Sequence, residues 1–104
     1  STELARSADA DILLAALASR TLAAADPGER REALADLDAF GVDLLAAQKI
    51  DIENYLGDRL TRVKTSTVAI RFRALRAFYN WAVAEEHLDR SPMRGLKEPK
   101  PLDV

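Results

Sequence analysis

Between Thr67 and Glu86 the apolar residues fall on two nearly opposite arcs of a helix turning by about 100° per residue. Val68, Phe72, Leu75, Tyr79 and Ala82 make one stripe, and Ile70, Ala74, Ala77 and Trp81 make the other. A helix that is apolar on two sides must be buried on two sides, so this segment is expected to run through the centre of the fold with other elements packed around it. Between the arcs lie Ala69, Arg73, Arg76, Asn80 and Ala84, the strip expected to face solvent.

The partners of that helix are expected to be helices too. Of the 104 residues, 19 are Ala and 15 are Leu, against 14 Val, Ile and Thr together, which favours an all-α fold. A chain of this length buries roughly two-thirds of its unfolded surface, enough for one domain with one core. Leu13, Leu14 and Leu17 mark a first helix from Asp9 or Asp11 to about Ala25, after a loose segment 1–8. Asp26-Pro27-Gly28-Glu29 reads as a helix start, with Asp26 as cap and Pro27 at the first helical position. Ala33, Leu37 and Phe40 then recur at about one turn, and Gly41 is placed to end the helix in a left-handed conformation.

A third helix is expected from Asp51 to about Arg62, with Asp51 as its cap and Ile52, Tyr55, Leu56 and Leu60 as its buried positions. Thr65 or Ser66 is expected to cap the long helix. Ser91-Pro92 reads as the cap and first helical residue of a short last turn ending at Gly95, and Glu98-Pro99-Lys100-Pro101 reads as an extended linker. Residues 9–97 therefore form the expected domain, a bundle of four to five helices, and 98–104 begin a linker.

Charge is distributed unevenly. Residues 1–58 sum to −7 and residues 59–104 to +5, within a net charge of −2. Arg59, Arg62, Lys64, Arg71, Arg73 and Arg76 occupy a stretch, 59–84, with no acid. Such a half is suited to a polyanion. Lys64, Arg73, Arg76 and Asn80 are the candidates for phosphate or base-edge contact, and Thr65, Ser66 and Thr67, at a helix start, are suited to a phosphate. The bland alternative is a solvated helix face.

The absence of Cys excludes disulfides and thiol chemistry, and a single His makes a transition-metal site improbable. No cofactor is expected. The longest apolar run, Ile12–Ala18, is far short of the ~20 residues that span a bilayer, so the expected setting is the cytoplasm, at the nucleoid when DNA is bound. His87 and Arg90 have His-x-x-Arg spacing, but no Tyr follows them, and Tyr55 and Tyr79 sit in apolar stripes as core residues whose hydroxyls are expected to reach the surface. Asp36, Asp38, Glu85 and Glu86 read as surface charge.

Residues 65–82, read from Thr65-Ser66-Thr67 through Ala74-Leu75-Arg76 to Phe78-Tyr79-Asn80-Trp81-Ala82, resemble the long helix of the core-binding (N-terminal, SAM-like) domain of tyrosine recombinases and phage integrases. Ile52-Glu53-Asn54-Tyr55-Leu56 is similar to that family's Ile-x-x-Tyr-Leu helix, and Asp89-Arg90-Ser91-Pro92 to its x-x-Asn-Pro turn. Leu96-Lys97-Glu98-Pro99-Lys100 is similar to the Leu-x-x-Pro-Lys stretch leading into the catalytic domain, and Asp36-Leu37-Asp38-Ala39-Phe40 resembles Asp-Leu-x-x-Phe. The chain departs at Glu29 and Ala33, where the family often has Thr and Tyr, and at Ile70 and Arg73, where Arg and Ser are common.

The resemblance implies a domain that clamps duplex DNA and is not an enzyme by itself. Its implied partners are a catalytic domain C-terminal to it and other recombinase protomers in a synaptic complex, the isolated domain being a monomer. Arg30, Arg31 and Arg62 are secondary DNA-contact candidates. The alternative is a helical protein–protein adaptor that uses the acidic half and leaves the basic face solvated.

Overall fold

The computed structural model describes residues 27–100, which form three helices and no strand: α1, Pro27–Ala39; α2, Lys49–Arg62; and α3, Thr65–Ala84. The helix expected before residue 26, the Asp26 cap and the loose segment 1–8 lie outside the described residues. None of the described helices is long and apolar enough to cross a membrane.

Pro27 begins α1, where its missing N–H is no loss. Ala33, Leu34 and Leu37 bury the face that packs on α3. Gly41 ends the helix at φ +102°, the left-handed conformation that glycine adopts without strain. The Gly41 N–H donates to the Asp38 carbonyl at 3.0 Å and the Val42 N–H to the Leu37 carbonyl at 3.3 Å, the paired bonds of a Schellman ending. Val42 then turns into the core. Phe40 departs from expectation: it is 38 % exposed, because its ring lies edge-on against Tyr55, with centroids 5.6 Å apart, at the rim of the core.

α2 begins two residues earlier than its sequence signal. Gln48 is the N-cap, and Asp51 stands in the first turn with its carboxylate accepting the Gln48 N–H at 2.8 Å. Asp51 therefore reaches back to the cap instead of being the cap. Ile52, Tyr55 and Leu56 are buried, whereas Leu60 is 42 % exposed near the helix end.

α3 is the central element, packed on both α1 and α2. Val68, Phe72, Leu75, Tyr79 and Ala82 are completely buried, and Ala74, Phe78 and Trp81 are buried too. Phe78 falls between the two expected arcs and joins them into one broad face, with Ile70 and Ala77 half-buried at its edge. Ala69, expected on the solvent strip, is only 6 % exposed. The helix starts at Thr65 with Lys64 as N-cap and no side-chain capping bond, so neither Thr65 nor Ser66 is the cap.

The end of α3 repeats the ending of α1. The Glu86 N–H donates to the Val83 carbonyl at 3.1 Å and the His87 N–H to the Ala82 carbonyl at 2.8 Å, with Glu86 at φ +62°. Residues 92–95 form a turn, not a helix. Met93 buries its side chain, its N–H donates to Ser91 Oγ at 3.1 Å, and Gly95 closes the turn at φ +85°.

Candidate nucleic-acid interface

The basic residues of the acid-free stretch divide between two environments. Asp36, on α1, accepts the Tyr55 hydroxyl from α2 and is approached by Arg71 of α3 at 2.8 Å and Arg59 of α2 at 3.5 Å. Asp36 is thus the point where all three helices meet, and its side chain is 20 % exposed, which corrects its reading as simple surface charge. Arg59 also pairs with Asp58 at 2.7 Å and lies over the rings of Phe40 and Tyr55, 5.9 and 6.0 Å from their centroids. Arg62 pairs with Asp58 at 3.1 Å. The guanidiniums of Arg59 and Arg62 hold the Asp58 carboxyl below its usual range. Arg59, Arg62 and Arg71 are therefore each paired within the domain, three cations sharing two carboxylates.

The exposed strip of α3 is different. Arg73, Arg76 and Asn80 are exposed, and with Thr65 and Ser66 they share about a 100° arc that extends ~21 Å from Ser66 to Asn80. Arg76 has no carboxylate within 4.0 Å among the described residues, and its guanidinium carbon lies 5.6 Å from the centroid of the Phe72 ring. Arg73 is met by Glu98 at 3.8 Å, so the segment after the 92–95 turn passes beside the strip. Lys64 is exposed at the head of α3 and pairs with no carboxylate among the described residues.

Not every candidate belongs to this surface. Thr67 points about 150° away from the centre of the strip and is half-buried. Arg30 is buried, at 4 % exposure, so it presents no open cation to solvent; Arg31 is exposed on α1, the helix that packs against the buried side of α3. His87 places its ring 5.2 Å from Trp81 as part of the helix ending. The tyrosine hydroxyls turn inward, not outward: Tyr79 donates to the Leu44 carbonyl at 2.8 Å, and Tyr55 donates to Asp36.

Three cations that were not among the DNA-contact candidates, Arg90, Arg94 and Lys49, line the adjoining grooves. Arg76 and Asn80 line an open groove of about 680 Å³ with Arg90 and Arg94. A neighbouring groove of about 350 Å³ is lined by Arg90, Arg94 and Lys49. Arg90 and Arg94 flank the Ser91-Pro92 signal four residues apart and were detectable as a pair; Lys49 lies in the acidic half and carries no such signal. Comparison of the chain with family models, with curated proteins and with solved structures returned no match.

Proposed function

We propose that this domain grips duplex DNA and is not an enzyme by itself, acting as a SAM-like core-binding domain of a tyrosine recombinase whose catalytic domain follows it in the chain. One observation carries the DNA-binding part of this reading. The cations near Asp36 and Asp58 are paired with carboxylates inside the domain, while Arg76 meets no carboxylate among the described residues and stands with Arg73 and Asn80 along a single exposed face, with Lys64 exposed and equally without a carboxylate at the head of the helix. Arg and Asn are the side chains suited to phosphate and base-edge contact, and a helix of this kind fits a groove. The recombinase assignment itself rests on the sequence resemblance.

An NMR titration of the chain with duplex DNA tests the reading. Shifts are expected at Lys64, Ser66, Arg73, Arg76 and Asn80, with an affinity that falls steeply as salt rises. Absence of binding, or binding insensitive to salt, would favour the helical adaptor instead.

A further inference from the structure

Resting on the DNA-binding reading, we propose that the 89–95 turn is a second contact for the phosphate backbone, carrying the interface past the end of α3 and around to the start of α2. The two grooves meet at this turn, since both are lined by Arg90, Ser91 and Arg94. On one side stand Arg76 and Asn80 of the α3 strip, and on the other Lys49, whose Nζ lies 3.5 Å from the position a Cβ on Gly95 would take. Among the described residues, Lys49, Arg76, Arg90 and Arg94 have no carboxylate within 4.0 Å and Asp89 is the sole acid lining either groove.

The turn is held firmly. Met93 is buried beneath it, Ser91 Oγ accepts the Met93 N–H, and the Ser91 carbonyl accepts the Arg94 N–H at 3.2 Å. Its two arginines are therefore presented from a fixed backbone.

The character of the grooves selects the ligand. Both are open, and their polar lining residues are exposed or half-buried, so a single small anion would meet only solvated charges, screened over about 10 Å at 0.1 M salt. A polyanion is held differently, because each phosphate neutralised releases condensed counterions and the gains accumulate along the chain. A continuous row of cations from α3 through the turn to Lys49 fits a phosphodiester backbone running in series past them.

The test compares the 104-residue chain with its Arg90→Ala/Arg94→Ala and Arg90→Lys/Arg94→Lys variants on one duplex at several salt concentrations, with circular dichroism to confirm folding. The alanine pair is expected to weaken binding about tenfold or more at 0.1 M salt and to flatten the log–log salt slope by up to ~1.8, about 0.9 for each phosphate no longer neutralised. The lysine pair should keep the slope, which separates charge from folding. Unchanged affinity and slope in the alanine pair, with the unmodified chain still binding DNA, would overturn this contact and leave the α3 reading standing. Failure of the unmodified chain to bind duplex would overturn both. If the alanine pair instead abolished self-association in sedimentation without altering DNA affinity, the groove would belong to the acidic half of a second copy and the proposal would fall.

Discussion

The Tyr55 hydroxyl donates a 2.5 Å hydrogen bond to Asp36 Oδ2 and so ties α2 to α1 at the point where Arg71 arrives from α3. Tyr55 is itself completely buried. A polar group in that position is tolerated only because its one donor is satisfied, and Asp36 is tolerated beside it because two guanidiniums approach the same carboxylate.

Asp36→Ala should therefore destabilise the domain by about 2–3 kcal/mol. It leaves the Tyr55 hydroxyl without its acceptor and Arg71 without its counter-ion, a loss tempered by the partial solvent access of the site. Tyr55→Phe removes one hydrogen bond and should cost only about 1 kcal/mol. Urea denaturation of both variants checks the order; equal effects would show that the bond from Tyr55, not the ion pairs, carries the junction.

Alkaline stability should depend on the same tyrosine. Burial first, and then the hydrogen bond to Asp36, push the Tyr55 phenol far above its ordinary value. Below pH ~10 both folded and unfolded chains keep the proton and the contribution is intact. As pH rises beyond ~10 the unfolded chain ionises first, so stability falls on the way up to the folded value. Denaturation curves on either side of pH ~10 should show a decline that is shallower in Tyr55→Phe.

Phe72→Ala should cost about 3–5 kcal/mol, since it empties a fully buried position in the middle of α3 where helices on both sides have to close the space. A loss under about 1 kcal/mol would mean that the core collapses around the site far more easily than its packing implies.

Gly57→Ala should stabilise the domain by about 0.5–1 kcal/mol, because Gly is the poorer helix residue. Gly57 is exposed inside α2, and a Cβ there would meet nothing within 4 Å. A higher melting temperature is the expected readout, and a lower one would reveal a contact at this position.

Arg73→Ala/Arg76→Ala should leave the domain folded, at about 0.5 kcal/mol for each surface site, while flattening the salt dependence of DNA binding by up to ~0.9 for each phosphate these side chains neutralise. Glu98→Gln should act in the opposite direction, tightening DNA binding about two- to threefold by freeing Arg73 from its 3.8 Å neighbour. Affinities measured on one duplex across a salt series check both; a folded double variant with unchanged slope would leave the strip as solvated surface.

The sequence alone determined what belongs to a single helix. The apolar spacing of α3 located Val68, Phe72, Leu75, Tyr79 and Ala82 in the core, and Gly41 located the end of α1, because side-chain periodicity and the left-handed turn are local properties of the chain. Periodicity does not reveal what comes to lie opposite. Only the tertiary structure set Asp36 against Arg59 and Arg71, brought Glu98 back beside Arg73, buried Ala69 and left Phe40 and Leu60 at the rim. It also placed Lys49 next to Arg90 and Arg94, which are remote from it in the chain. The physical reason is that Coulomb attraction and exclusion from water depend on distance in space, so which cations are neutralised and which stay open to a polyanion is decided by how the helices pack.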